Sequence, residues 1–367
     1  MDADSARPIH LPGLNGVRAI AAVAVVVSHL RLHLGEFGLP QRAGLLLAQY
    51  GVTAFFALSG FLITFLLIRE REATGRIDVR RFYMRRILRI WPLYYLYLAV
   101  TSFVLVNVMP GALPGSVIFY LALLANVPFI RGDSLPLMDH YWSLGVEEQF
   151  YAVWPLMLSR LKRPLPAISA VVVLFMLAKA AAGYWKYRGG PDLPWLIFSV
   201  NRFDCMLIGA IGAVLASGGV PWFMRLCRHP IVQFVALAML VLVAVDRFQV
   251  HPLVNHEIVA AVTTVAVVRL AFSGNGRVWL DYPAIDFVGK ISFGIYIYHP
   301  LVIFALAAAK RHALPDALSG GAAEVGLYLV VVAATMLVAW LSYALVERPI
   351  LRFKARYAVV ATAPSLS

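Results

Sequence analysis

Ten mostly apolar stretches, each about 17 to 23 residues long, divide this chain from end to end. At about 1.5 Å per helical residue, one such stretch reaches across a hydrocarbon core of about 30 Å. They lie near 15–34, 46–68, 88–108, 142–159, 165–183, 196–217, 231–246, 257–273, 290–309 and 323–346. Of the 367 residues, 61% are apolar and only 14% charged, a balance foreign to ordinary soluble domains. The runs are continuous rather than alternating, which excludes a strand barrel and predicts an all-α polytopic membrane protein, a bundle of about ten transmembrane helices.

The stretch 116–130, SVIFYLALLANVPFI, is short for a crossing and carries Asn126 and Pro128. Charge decides its status. If it does not cross, the segments on one side hold 21 Lys and Arg and those on the other hold 8, with Lys179, Arg202 and Arg269 inside spans. Counting it as a crossing would invert every later loop and largely erase that bias. It is therefore read as re-entrant or interfacial, and both termini as cytoplasmic. The net charge of +13 then answers to topology and the lipid bilayer, not to nucleic acid.

Cys205 and Cys227 lie too far apart along the chain to imply a disulfide. The leader MDADSARPIH has little positive charge and no convincing cleavage site follows the first run, so the first helix is expected in the mature protein. The reading is one membrane domain over 1–350 with a short cytoplasmic tail over 351–367. No internal repeat and no matched pair of broken helices, the sign of many transporters, is visible.

Several polar residues interrupt the apolar runs. Arg18 and His29 in RAIAAVAVVVSHL are 11 residues apart, within about 20° of three full turns, so they share a helix face about 16 Å apart along it. An ionisable group at that depth is costly and faces either a cavity or another helix. A neutral imidazole facing a cavity can take a proton from a hydroxyl. In HYWSLGVEEQFYAVWP, His140, Ser143, Glu147, Tyr151 and Trp154 recur at steps of three or four and Glu148 points elsewhere. Glu147 falls near the depth of His29, so the two can meet across the bundle, or Glu147 is interfacial within a belt of Tyr141, Trp142 and Tyr151. RRFYMRRILRIWPLYY holds Arg85, Arg86 and Arg89 before the third span. Guanidinium forks match phosphate oxygens, although topological charge explains the run equally. Ser59-Gly60-Phe61 stands in a span whose Gly60 and Thr64 suit close helix packing. Arg202 and Asp204, two apart, each need another partner. Lys179 and Arg269 can snorkel from span ends. His299, before Pro300, is read as structural.

In order and spacing, LNGVRAIAAVAVVVSHL, YGVTAFFALSGFLIT, RRFYMRRILRIWP, HYWSLGVEEQFYAVWP, SVNRFDCMLIGAIGAVLA, ISFGIYIYHPL and VERPI resemble the acyltransferase-3 family of integral membrane O-acyltransferases, over residues 14 to about 350. The resemblance implies a cytosolic acyl-CoA donor, commonly acetyl-CoA, transfer of a short acyl group to a hydroxyl on a glycan, lipid-linked sugar or small molecule, and a bacterial inner membrane. No metal is expected, and nothing specifies an oligomer. It assigns His29 as the essential histidine, Arg18 as its partner, Arg86 and Arg89 as the acyl-CoA pair, with Arg85, Ser59 and Gly60 beside them. Glu147 is the first glutamate of WSLxxEE, and Ser143, Trp142, Arg202 and Asp204 are secondary candidates. Some members append a soluble SGNH-type domain. None is seen in these residues, and direct transfer is expected. In the resulting hypothesis a pantetheine arm threads between spans one, two and three toward His29, which Glu147 or another carboxylate orients. An acyl-histidine intermediate is the variant mechanism. Acylation of a natural product such as a macrolide, and a proton-coupled sugar or lipid transporter, are the competing functions.

Overall fold

A computed structural model of the protein describes residues 11–42, 45–108, 115–272, 279–313 and 320–357. The leader 1–10 and the end of the tail lie outside them. Every regular element among the described residues is a helix, because a backbone without water must satisfy its own polar groups. In chain order they are α1 (Leu14–Leu32), α2 (Leu47–Thr74), α3 (Val79–Val108), α4 (Val117–Leu121), α5 (Asn126–Arg131), α6 (Tyr141–Arg160), α7 (Pro164–Tyr187), α8 (Leu193–Asn201) and α9 (Phe203–Ser217). Then follow α10 (Pro221–Arg228), α11 (Pro230–Ala244), α12 (Asn255–Ala271), α13 (Pro283–Lys290), α14 (Ser292–Ala313), α15 (Gly321–Ser342) and α16 (Arg348–Lys354).

Each of the ten expected stretches is helical. Seven helical segments are long and apolar enough to cross a membrane alone, and the α10–α11 pair, bent by 57°, makes eight. The other two, α6 and α12, are continuous, but α6 carries Glu147 and Glu148 and α12 has only 17 residues, among them Glu257. Their polar content serves the interior of the bundle. The chain is a multi-pass membrane protein. Residues 116–130 form two short helices, α4 and α5, neither long enough to cross. Asn126 ties them down, donating to Asn201 Oδ1 (2.8 Å) and accepting from Gln149 Nε2 (2.8 Å).

The bundle has a buried centre and an apolar rim. α2 is the most enclosed spanning helix and packs most extensively on α9. Leu174 and Leu177 on α7 and Leu329 on α15 remain more than 60% exposed, as side chains facing lipid should. The α2–α9 approach depends on two glycines. A Cβ on Gly60 would run into the Met206 carbonyl, and one on Gly209 into the Ala57 carbonyl. The cofactor role expected for Gly60 is thereby corrected to close helix packing. Gly60→Ala should cost about 1–3 kcal/mol by forcing the helices apart, read as a lower apparent melting temperature of the solubilised protein. An unchanged temperature would contradict the contact.

Candidate active site

α1 borders two cavities. The inner one is lined by Arg18 of α1, Ser59 of α2, Arg86 and Arg89 of α3, Ser143, Glu147 and Tyr151 of α6, and Tyr296 of α14. Glu147 accepts from Ser59 Oγ (3.1 Å) and Tyr151 OH (2.9 Å), and Arg18 and Arg86 lie within electrostatic reach of it. Of the five residues at that spacing, Ser143, Glu147 and Tyr151 line this cavity, whereas His140 lines the outer one and Trp154 donates to Thr64 Oγ1 (2.8 Å). Arg89 reaches Glu347 at 3.8 Å, Arg86 lies over the Tyr151 ring at 5.6 Å and its Nε is buried without a hydrogen-bond partner. Lys354 lies beside Arg18, Arg86 and Arg89. Three guanidinium groups, those of Arg18, Arg86 and Arg89, thus line the cavity with Glu147, an excess that suits a phosphorylated ligand.

The outer cavity, about 220 Å³, is lined by His29, His33, Glu36, Leu137, Asp139, His140 and Pro300, among others. It is many times the ~10–15 Å³ that one water needs. His29 Nδ1 lies 2.6 Å from His299 Nε2, and His299 Nδ1 lies 2.7 Å from the Tyr296 carbonyl oxygen. That carbonyl is free because Pro300, four residues on, has no N–H to offer it. A carbonyl only accepts, so His299 Nδ1 carries the proton and, in the uncharged pair, His299 Nε2 accepts from His29 Nδ1–H. His29 Nε2 is left as an open acceptor on a ring that faces the cavity. This orientation is the property a general base needs.

Glu147 does not meet His29: one carboxylate belongs to the inner cavity, and the imidazole to the outer. His299, expected to be structural, is the group that orients His29. The sequence carried its signal in the His-Pro pair. The two cavities have separate sets of lining residues. They are separated by about one helical turn, with His140 and Ser143 on opposite sides along α6 and Pro300 and Tyr296 along α14.

The acyltransferase domain family matches residues 11–344. The chain belongs to the acyltransferase-3 family. Among its relatives are the O-acetyltransferase OatA of Staphylococcus aureus, 26% identical over 94% of this chain and 57% of that protein, and the putative peptidoglycan O-acetyltransferase YrhL of Bacillus subtilis, 28% identical over 93% and 55%. The chain thus spans a little over half the length of these relatives. No solved structure matches it.

Other residues singled out in this acyltransferase-3 sequence prove to hold the bundle together. Arg85, expected to bind cofactor, instead pairs with buried Glu70 (2.8 Å) and donates to the Tyr357 carbonyl (2.9 Å). Trp142 stacks on Phe129 and lies under the Arg202 guanidinium (5.2 Å). Arg202 breaks α8 from α9 at φ 38° and donates to the Ser199 carbonyl (2.8 Å) and the Gln49 carbonyl (3.3 Å). Asp204 abuts Glu257, whose Oε1 takes a hydrogen bond from Lys179 at 2.5 Å. Lys179, expected to snorkel, is only 1% exposed, since a buried carboxylate is the nearer solution for its charge. Lys179→Met should cost about 3–5 kcal/mol by stranding that carboxylate. Lys179→Met with Glu257→Gln should recover much of the folded yield on gel filtration, and a single variant as stable as the parent would remove the pair from the supports of the fold.

Proposed function

We propose that the protein is a membrane O-acyltransferase that moves a short acyl group, acetyl in the first instance, from cytosolic acyl-CoA to a hydroxyl of a cell-envelope or exported glycan. The observation that carries this reading is the tautomer chain from Tyr296 through His299 to His29, which leaves an open base one turn away from a cavity crowded with guanidinium groups. The peptidoglycan in the printed name of the Bacillus subtilis relative supports a glycan as acceptor. The basic end of the bundle, with Arg86, Arg89 and Lys354, is taken as the cytosolic side of a bacterial inner membrane.

In this mechanism Arg18, Arg86 and Arg89 hold the phosphates of acyl-CoA and the thioester points toward Tyr296. The acceptor enters the outer cavity, where His29 and His140 face it. His29 Nε2 removes the hydroxyl proton as the oxygen attacks the acyl carbon, the carbon–sulfur bond breaks, and the proton ends on the departing thiolate. The developing imidazolium shares its Nδ1–H with His299, whose own Nδ1–H rests on the Tyr296 carbonyl. That arrangement fixes the ring and spreads the charge, the part an aspartate plays in a hydrolase triad.

In membranes supplied with labelled acetyl-CoA, His29→Ala should lose at least about 10²-fold in transfer while still inserting. His299→Ala should lose less. Arg86→Ala with Arg89→Ala should raise the KM for acetyl-CoA roughly 10-fold or more, with a smaller effect on kcat. Normal transfer by His29→Ala would retire the mechanism.

A further inference from the structure

Tyr296 stands between the two cavities and is bonded on both sides. Its ring lines the inner cavity and meets the His140 ring edge-on at 5.4 Å. Its hydroxyl donates to the His140 carbonyl (2.8 Å) and lies 2.6 Å from Ser143 Oγ. Its own carbonyl orients His299. The lining residues on either side are three apart on α6 and four apart on α14, so the wall is only about 4.5–6 Å of helix rise thick. Tyr296, His140, Ser143 and His299 are each no more than 6% exposed, so these buried side chains fill the turn between the two linings.

A wall at this place answers a chemical problem. The base that activates a glycan hydroxyl activates water equally well, and the outer cavity has room for water. If thioester and base shared one open space, water would attack the acyl carbon and the carbon–sulfur bond would break. The water proton would pass through His29 to the thiolate, giving free carboxylic acid and CoA thiol. Excluding that side reaction is a known task of closed active sites. We propose that Tyr296 is the barrier that sets transfer over hydrolysis. Its ring keeps the thioester from His29 until an acceptor occupies the outer cavity. The acceptor acts on the same first turn of α6, where the His140 ring faces the cavity and the His140 carbonyl holds the Tyr296 hydroxyl. This inference rests on the acyl-transfer reading above.

The test uses the full chain in envelope membranes and, separately, in liposomes without acceptor, with acetyl-CoA labelled in the acetyl group. Free acetate and glycan-bound acetyl are measured side by side. Without acceptor, Tyr296→Ala should release acetate at least about 10-fold faster than the parent. Tyr296→Phe and Ser143→Ala, which keep the ring and remove one hydroxyl, should each give a smaller rise. Adding His29→Ala to Tyr296→Ala should return release to background, since the same base activates the water. Should Tyr296→Ala fail to fold, the two hydroxyl variants decide the matter. Acetate release no faster than the parent in the folded variants overturns the barrier, and so does release that ignores His29. If the parent transfers acetyl to glycan while these variants leak nothing, only the barrier falls. If the parent itself transfers nothing from acetyl-CoA, the acyl-transfer reading falls and takes the barrier with it.

Discussion

A charge inside a hydrocarbon slab must face another charge, a hydrogen-bonding partner or water, and that cost arranges the interior of this bundle. Lys179 is held by Glu257, Arg85 by Glu70, and Arg202 by backbone carbonyls at a broken helix. Each of these joins one helix to another. Beside them, two sets of polar groups border open space next to α1. One holds guanidinium groups, and the other imidazoles. The division of labour proposed for donor and acceptor rests on that partition of polarity, with α1 contributing Arg18 to one set and His29 to the other.

The link between the sets is a backbone defect. Pro300 withholds an N–H inside α14, the Tyr296 carbonyl is released, and His299 and then His29 are oriented in sequence from it. A helix without that proline would tie the carbonyl into its own ladder, and neither tautomer would be determined. Tyr296, whose carbonyl is released, also supplies a ring to the lining of the inner cavity. The proposed base and the proposed barrier thus both depend on one turn of α14.

Much of this was legible in the sequence, and the exceptions have physical reasons. Apolar run length and the Lys and Arg bias located all ten helical stretches and kept 116–130 out of the count, since both depend on composition alone. Spacing along one helix correctly grouped Ser143, Glu147 and Tyr151. Relations between helices were not available in that way. Depth counting brought Glu147 level with His29, but depth along the membrane says nothing about which side of the bundle a residue occupies, and the carboxylate sits with Ser59 instead. Arg85 and Arg86 are adjacent in sequence and so point about 100° apart on a helix, which sends one to Glu70 and the other into the cavity. Gly60 read as either packing or ligand approach, and only the position of α9 decides between them. The role of His299 depends on the carbonyl that Pro300 frees four residues earlier, which residue type and spacing do not display.

The proposed transfer requires that a donor held by Arg18, Arg86 and Arg89 be presented to His29 across the one turn that separates the two linings. An experimental structure of the protein bound to a non-transferable acetyl-CoA analogue measures that directly. It should show the phosphates among those three guanidinium groups and the acyl end against the Tyr296 ring. Density for the nucleotide in the outer cavity beside His33 and Asp139, or on the far side of the bundle from Arg86, would contradict it.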